Sequence, residues 1–275
     1  MREVLRNTTG STALLPVNAA ALVFLFLVTA AFSCSGGPEA GLPEPVRDRF
    51  GAITGFEDNR EVYLFFSAHD HFEGMGIVMD ALGRHGVKAS FFLTGECLRD
   101  PSNRGVIEGI VSAGHYLGPH SDAHLLYVPW DVGPERDSLL VTRKEFEEDL
   151  RKNIAALEPF GIVPGDVKWF LTPYEWYNSE IVEWTNEMGM EVVNFTPGIG
   201  TNADYTTPSM DNYRTSRQIL QRLWEYEAEQ GLGGKILLIH PGIGPERPDP
   251  LYYHLYDIIA IIKAKGYQIG SLPGN

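Results

Sequence analysis

The chain contains 275 residues, with 36 acidic and 22 basic side chains and a formal net charge of −14 at pH 7. This charge argues against nucleic acid as a partner, because nucleic-acid binding requires clustered Lys and Arg. The length permits one domain with a large core, and nothing in the sequence identifies a protein partner.

The N-terminal segment has the charge order of a secretory signal. Arg2 and Arg6 precede an uncharged apolar run over residues 19–32, and small residues follow it. The run of about 14 residues is shorter than the ~20 that a membrane-spanning helix needs, which favours a cleaved signal. We therefore predict that residues 1–34 are a signal peptide and that the chain is exported.

Cys34 follows the apolar run and is flanked by small residues. This arrangement resembles a bacterial lipoprotein box, although Ala31 stands where leucine is usual. Lipidation of Cys34 would anchor the protein to a membrane without a spanning helix. The alternative is an ordinary signal peptide with an incidental cysteine, which would leave the protein in the periplasm or at the cell surface. The other cysteine is Cys97, so lipidation would leave no intramolecular disulfide.

The rest of the chain divides into a spacer and one domain. Residues 35–55 contain the Gly/Pro-rich stretch GGPEAGLPEP at positions 36–45 and are predicted to be a flexible tether. Residues 56–275 are predicted to be one folded domain, in which apolar runs alternate with amphipathic segments. Strands are predicted at 61–66, 87–93, 115–117, 169–171, 191–195, 235–239 and 267–269, and helices at 77–85, 142–160, 179–188, from 215 onward and at 251–265.

This alternation predicts an α/β fold with a parallel sheet covered by helices. The length allows either a barrel or an open doubly wound sheet. No Gly-rich phosphate loop follows the first strand, which lowers the dinucleotide-binding option. In a barrel, catalytic residues lie where strands end and loops begin, so the strand ends are the places to search.

His120 and His124 are the first candidates at such a strand end. Two histidines four residues apart can share one face of a helical turn and bind one metal ion through neutral imidazoles. Residues 114–124 (GHYLGPHSDAH) resemble a motif of the polysaccharide deacetylase family, the NodB-like carbohydrate esterases of family 4. Residues 85–95 (HGVKASFFLTG) resemble the second strand of that family, and residues 238–240 (LIH) resemble its last motif. The resemblance implies a distorted (β/α) barrel of about seven parallel strands.

The resemblance also implies a mechanism. A divalent metal, commonly Zn²⁺, polarises an acetyl carbonyl and activates water. By that resemblance His120 and His124 are metal ligands, and His240 is the general acid, for which a pKa near neutrality is suitable. In the family an Asp orients the acid histidine, and Asp204 is the candidate here, in a loop that also contains Asn202.

The first motif departs from the family pattern. The family has T-F-D-D-G, whereas residues 65–74 read FFSAHDHFEG, with Ser67 and Ala68 in the ungapped positions of the two aspartates. One interpretation makes Asp70 the metal carboxylate and His69 the base. The other makes His69 the third metal ligand, with Asp70 or Glu73 as the base. His71 is predicted to be an exposed loop residue.

The third motif departs as well. The family has R-x-P-(Y/F), whose Arg pairs with the catalytic carboxylate, whereas this chain has Leu171 in the position of the Arg. Leucine cannot form a charge-assisted pair, so the base and its Arg are interpreted as replaced together. Tyr174 could supply a backbone N–H to an oxyanion, and Glu175 is a further candidate base.

Aromatic side chains cluster near these strand ends and could either stack on sugar rings or pack in the core; they are Tyr127, Trp130, Tyr174, Trp176 and Tyr177. We predict that Trp176, Tyr177 and Asp204 contribute to substrate binding. The predicted function is metal-dependent removal of N- or O-linked acetyl groups from a glycan. Two alternatives remain: a non-catalytic carbohydrate-binding protein, and a metal-dependent hydrolase of another C–N or ester bond.

Overall fold

The computed structural model describes residues 43–57 and 60–274. The predicted signal peptide, Cys34 and the first part of the predicted tether lie outside the described residues. Within the described ranges, no helix combines the length and the apolar character that crossing a membrane requires. Cys97 is a buried free thiol, and burial raises its pKa to about 12.

Strands and helices alternate along the chain. The strands are β1 Pro45–Arg47, β2 Ile53–Phe56, β3 Glu61–Ala68, β4 Ser90–Leu93, β5 Tyr116–Pro119, β6 Trp169–Leu171, β7 Glu191–Val193, β8 Ile236–Ile239 and β9 Gln268–Gly270. The α-helices are α1 Met75–His85, α2 Gly95–Arg99, α3 Arg104–Ser112, α4 Arg143–Leu157, α5 Ser179–Glu187, α6 Ser216–Gln230 and α7 Leu255–Ala264. Short 3₁₀ turns occupy Glu158–Phe160, Pro164–Asp166, Pro173–Glu175, Thr201–Tyr205 and Leu251–His254.

The strands form two sheets that together make a distorted barrel. One sheet has the order β1-β2-β7-β6, and the other has the order β5-β4-β3-β8 with β9 also paired to β3. All the pairings are parallel except β1 with β2. Seven strands, β2 to β8, make up the ring, as the family resemblance implies.

The ring has two weak seams. Between β5 and β6 the strands form no ladder, and the Tyr116 hydroxyl donates to the Trp169 carbonyl at 3.3 Å. Between β8 and β2 an isolated bridge joins Gly55 to Lys235. The Thr196 hydroxyl bridges β2 and β8 at this second seam, since it donates to the Thr54 carbonyl and accepts from the Ile236 N–H.

Side-chain alternation along the strands separates the barrel interior from the helix-facing core. On β3, Tyr63 and Phe65 belong to the cluster inside the barrel, whereas Val62 and Leu64 pack with the helices. Because successive strand residues point to opposite faces, the next interior position of β3 is Ser67. The same alternation directs residues just beyond β5 and β8 into the mouth of the barrel at its carboxyl end.

The predicted tether, residues 35–55, is wrong in part. Residues 45–47 form a strand, residues 53–55 belong to the strand Ile53–Phe56, and Ile53 is buried in the barrel interior. The physical reason is that β2 pairs with β7 and completes the ring, so this segment belongs to the domain. Pro45 is compatible with a strand because β1 lies at a sheet edge, where one N–H is not needed for the ladder.

The two longest helices begin next to their predicted first residues. Thr142 and Glu145 form a capping box at the start of α4, and Thr215 and Gln218 form another at the start of α6. The predicted helix at 251–265 is divided into a 3₁₀ turn, Leu251–His254, and α7. The predicted strand at 87–93 is shorter, because residues 87–89 precede the β4 ladder.

Candidate active site

A cavity of about 810 Å³ opens at the carboxyl ends of the barrel strands, which is within the usual size of ligand sites. It brings together most of the predicted site residues: His69, Asp70, His120, His124, Tyr174, Glu175, Trp176, Tyr177 and His240. Asp204 lies directly behind His240. The walls also contain Asp48, Arg136, Asn194 and Tyr205. The sequence motifs had indicated none of these four residues, although Tyr205 is adjacent to Asp204.

His120 and His124 do not share a helical turn, which corrects the geometry expected from their spacing. The segment between them is an irregular loop, in which Ser121 and His124 have positive φ values of 72° and 52°. Non-glycine residues adopt such values only where the surroundings stabilise them. The two rings nevertheless come together, with centroids 5.1 Å apart.

Two buried polar residues of α4 hold this loop in place. The Asp149 carboxylate accepts hydrogen bonds from the Ser121 hydroxyl at 2.6 Å and from the N–H groups of Asp122 and Ala123 at 2.9 and 3.0 Å. Asn153 accepts from the His120 N–H at 2.7 Å and donates to the Leu93 carbonyl. The sequence did contain a signal for them, because Asp149 and Asn153 are four residues apart and fall on the otherwise apolar face of α4.

His120 and His124 are neutral at physiological pH. Burial lowers the pKa of His120 to about 3 and that of His124 to about 2. The Nδ1 of His120 is 2.8 Å from the Leu171 carbonyl, and since a carbonyl only accepts, this nitrogen carries the proton. The Nε2 of His120 therefore keeps its lone pair, which is the state that a metal ligand requires.

His69 lies beside these two histidines, whereas Asp70 is directed outward. The His69 ring stacks on the His124 ring with centroids 4.4 Å apart and planes inclined by 9°. The Asp70 side chain is 63% exposed, and its carboxylate is 3.8 Å from His71 Nε2. The His71 side chain is itself exposed. The geometry therefore favours His69 over Asp70 as the third donor.

The donors fit a divalent ion in their chemistry, although they do not enclose a common point as they stand. Three neutral imidazoles suit zinc and related ions. In residues 43–57 and 60–274, no three side chains of His, Cys, Asp or Glu are arranged as a metal-binding group. The nearly parallel stack of His69 on His124 explains this, because parallel rings do not direct their nitrogen atoms toward one centre.

His240 faces the cavity and is paired with a buried aspartate. Asp204 is fully buried, with one carboxylate oxygen 2.6 Å from His240 Nδ1 and the other accepting from the His240 N–H at 2.9 Å. Burial alone disfavours the charged ring, but the charge and hydrogen bond of Asp204, together with Glu175, raise the pKa of His240 overall. The contact of Asp204 is thus with His240, and it does not line the cavity.

Glu175 lies on a sharply bent turn after β6. Tyr174 and Glu175 have φ values of 58° and 53° in the Pro173–Glu175 turn. Burial raises the pKa of Glu175 to about 7, with His240 opposing the shift and Asp204 adding to it. The Tyr174 ring packs 4.3 Å from the His124 ring, so this turn joins the histidine cluster to the Glu175 carboxyl group.

The positions of the atypical motifs lie inside the barrel. Ser67 and Leu171 are both buried, and the Ser67 hydroxyl has no hydrogen-bond partner among the described residues. The Glu73 carboxylate accepts from the N–H groups of Ile243 and Gly244 at 2.9 and 2.8 Å. Glu73 therefore fixes the loop after His240, which removes it from the candidate bases.

The aromatic residues separate into two groups. Trp130 and Tyr174 are 57% and 44% exposed at the cavity, and Trp176 lines its wall. Tyr127 is fully buried against Phe146. Tyr177 was predicted to bind substrate, yet it is only 1% exposed, and its hydroxyl donates a hydrogen bond to Asp48. It cannot present a ring face to a sugar.

The sequence pattern of the polysaccharide deacetylase family matches residues 57–193, about half of the chain. A peptidoglycan-N-acetylglucosamine deacetylase of Bacillus cereus is 25% identical over 145 residues, which cover 53% of this chain and 47% of that protein. The uncharacterised protein YlxY of Bacillus subtilis is 27% identical over 195 residues, covering 71% of this chain and 50% of its own length. The chain thus spans about half the length of these two relatives.

Solved structures share the fold. A CE4 family pseudoenzyme from Bacillus anthracis superposes with a TM-score of 0.61 at 22% identity, covering 80% of this chain and 67% of its own. A family 4 acetyl xylan esterase from Clostridium thermocellum, in complex with a cobalt ion, superposes with a TM-score of 0.58 at 22% identity, covering 76% and 87%. The chain belongs to the polysaccharide deacetylase family, a family of metal-dependent carbohydrate deacetylases with a NodB-like barrel.

Proposed function

We propose that the protein hydrolyses acetyl groups from a carbohydrate with the help of a divalent metal. The observation that carries this proposal is the arrangement of the cavity. Three imidazoles, two of them held neutral by burial, gather on one wall, and a histidine paired with a buried aspartate lies in the same cavity.

His69, His120 and His124 would hold the metal, with Zn²⁺ as the expected ion. The support is the ring contacts of His69 and the exposure of Asp70. When bound, the metal polarises the acetyl carbonyl and activates a water molecule.

His240 would act as the general acid. Asp204 holds the Nδ1 proton, so the opposite nitrogen, Nε2, is the one that can give a proton to the leaving nitrogen or oxygen. The raised pKa keeps a useful fraction of the ring protonated near neutral pH. Asp204 acts on this step only through His240 and is a positioning residue.

Glu175 would act as the general base in place of the aspartate that Ser67 replaces. A pKa of about 7 suits a base that works near neutral pH. The N–H groups of Glu175 and Trp176 donate within the turn, to Thr172 and Pro173. The Tyr174 N–H is available for the developing oxyanion, to which a backbone donor contributes strongly.

Metal content and acetate release test this proposal together. The purified protein should contain a divalent metal in near-stoichiometric amount, lost in both His120→Ala and His124→Ala, and should release acetate from acetylated oligosaccharides. His240→Ala should retain the metal and lose turnover, whereas His254→Ala, outside the cavity, should behave as the unmodified protein. A metal-loaded protein that releases no acetate from any acetylated glycan contradicts the proposal.

A second candidate function is carbohydrate binding without catalysis. It is favoured by Ser67, Ala68 and Leu171, which stand where the family has two catalytic carboxylates and an arginine. Glycan affinity separates the two candidates when it is measured beside turnover. A pure binding protein would bind acetylated glycans equally well after Glu175→Gln and would release acetate in neither form.

Export and anchoring are proposed from the sequence alone. The charge order of residues 1–34 and the small residues around Cys34 support a lipoprotein held at a membrane. Cys34→Ser should move the protein from the membrane fraction to the soluble fraction of its host. An unchanged distribution would indicate that Cys34 is not the anchor.

A further inference from the structure

One wall of the cavity leads away from the histidine cluster along a row of aromatic rings. The row consists of Tyr174, Trp130 and Trp176, hereafter the aromatic wall. Tyr174 and Trp130 meet edge to face with centroids 5.5 Å apart, and Trp130 lies 5.5 Å from Trp176. The Trp176 indole N–H donates to the Pro129 carbonyl, which fixes its orientation. Exposed indole and phenol faces of this kind suit the apolar faces of sugar rings.

Arg136 ends the aromatic wall. Its guanidinium carbon lies 3.3 Å from the centre of the Trp176 ring and 4.8 Å from that of Phe50. Its Nη1 donates to the Tyr177 carbonyl at 2.8 Å, and its own carbonyl accepts from the Asn178 side chain. A long cationic side chain is thus held rigid at the cavity, where it loses little further entropy on binding.

The charge of Arg136 is unpaired. Among the described residues no carboxylate lies within ion-pair distance of its guanidinium, and its Nε and Nη2 groups make no hydrogen bond. Asp48 in the same part of the cavity is already engaged, since its oxygens accept from the N–H groups of Phe50 and Ala52 and from the Tyr177 hydroxyl. The neighbouring Arg49, by contrast, pairs with Glu135.

An unpaired, partly buried cation is unusual in a chain with a net charge of −14. Burial lowers the pKa of Arg136, and the more distant charge of Asp48 opposes this shift without cancelling it, so the surroundings as a whole disfavour the guanidinium charge. A bound anion would relieve that cost and use the two unoccupied edges of the guanidinium, whose planar fork matches a carboxylate or a phosphate.

We propose that the substrate is an anionic glycan, in which a carboxylate or phosphate on a sugar unit near the acetylated one binds Arg136 while the intervening ring stacks on the aromatic wall. This inference rests on the proposed function for the acetylated unit, but the anion site is defined by Arg136 alone. The aromatic wall sets the spacing, because it joins the histidine cluster to the guanidinium without a gap.

Binding measurements test the inference independently of turnover. Calorimetry would compare three acetylated oligosaccharides of equal length, one neutral, one containing a uronic acid and one containing a sugar phosphate. The unmodified protein should bind at least one anionic ligand about tenfold more tightly than the neutral one, and this preference should fall as salt is added. The anionic ligand with the larger gain in affinity over the neutral one identifies the preferred anion.

Variants of Arg136 test whether the preference for anionic ligands depends on its guanidinium. Arg136→Gln should abolish the anionic preference and leave affinity for the neutral ligand within about twofold, and Arg136→Lys should keep part of the preference because the charge remains. Arg49→Gln, the matched control on the same surface, should keep all of it. Thermal unfolding confirms that each variant is folded, and the Lys variant serves if the Gln variant is not.

Each possible result supports or contradicts the proposed anion site. Equal affinity for neutral and anionic ligands, a preference unchanged in Arg136→Gln, or no binding of any ligand overturns the inference. Arg136-dependent binding without acetate release upholds the anion site and contradicts the proposed hydrolysis. Equal acetate release from neutral and anionic glycans upholds the hydrolysis and contradicts the anion site.

Discussion

Replacement of Glu175 by glutamine tests whether the buried carboxyl group is poised as a base, without requiring any substrate. Burial raises the pKa of Glu175 from 4.5 to about 7, so the folded protein favours the neutral form more than the unfolded chain does. The contribution of protonated Glu175 to the free energy of unfolding is therefore fully present below pH 4.5 and is lost as the pH rises through 7. Glutamine has nearly the same shape and no titration.

The magnitude follows from the pKa. A change from 4.5 to about 7 corresponds to about 3 kcal/mol at about 1.4 kcal/mol per unit. Because Glu175 is partly exposed in the cavity, solvent screening reduces this value, and we expect the unmodified protein to lose 1–3 kcal/mol relative to Glu175→Gln between pH 4.5 and pH 8. For a chain of this size that is a relative melting shift of roughly 5 °C.

Thermal unfolding at several pH values, in metal-free buffer with chelator, measures the difference. Metal must be absent, because a nearby cation would lower the pKa of Glu175. Glu180→Gln, an exposed glutamate at the start of α5, is the control and should show no such trend. A difference between the unmodified protein and Glu175→Gln that stays constant from pH 4.5 to 8 would refute the raised pKa and remove Glu175 as the base.

Three further predictions concern activity and the supports of the site. In the metal-loaded enzyme, kcat/KM should rise with pH as Glu175 loses its proton, at a lower pH than in the metal-free protein because the cation lowers the pKa of Glu175. It should fall at higher pH as His240 loses its own proton, and Glu175→Gln should remove the rising limb. Asp149→Ala removes three hydrogen bonds from the loop of His120 and His124 and should cost on the order of 3 kcal/mol in urea unfolding, with Glu148→Ala on the exposed face of α4 as the neutral control. Ser67→Asp alone should lower the free energy of unfolding by about 3 kcal/mol, because it buries an unpaired carboxylate. When Leu171→Arg is added, unfolding measurements should show a favourable coupling energy of about 1–3 kcal/mol between the two substitutions. Strictly additive losses of stability would mean that the two positions do not face each other.

Much of the fold could be predicted from local signals. The strand at 169–171 has the predicted bounds, and both capping boxes mark the starts of their helices. Such features depend on residues close together in sequence. The ring closure by β2 was missed because the tether predicted from the Gly/Pro composition of residues 36–45 was extended to residue 55 and so included Ile53, whose burial depends on pairing with β7 far along the chain.

The candidate site also contains some features that the sequence predicts and others that depend on the folded structure. The histidines stand in contiguous motifs and could be found, but their mutual geometry could not, since it depends on positive φ values at Ser121 and His124. Arg136 lies in an irregular segment without any motif. Its importance follows only from contacts with the Trp176 ring and the Tyr177 carbonyl, which the folding of β6 and its following turn brings to the same wall.

The atypical motifs acquire a common explanation when the barrel interior is considered. A carboxylate at position 67 would lie at the inner end of the cavity, almost wholly shielded from solvent and beside Phe92 of the paired strand, where it needs an opposite charge to remain ionised. Leu171 cannot supply that charge, so the two replacements are consistent only as a pair. Glu175 lies four residues beyond Leu171, at the edge of the cavity, where partial burial raises its pKa without requiring a buried cation. The chain therefore retains a carboxyl group within the same cavity as His240 while it avoids burying an ion pair, and this is why the absent aspartates do not by themselves argue against catalysis.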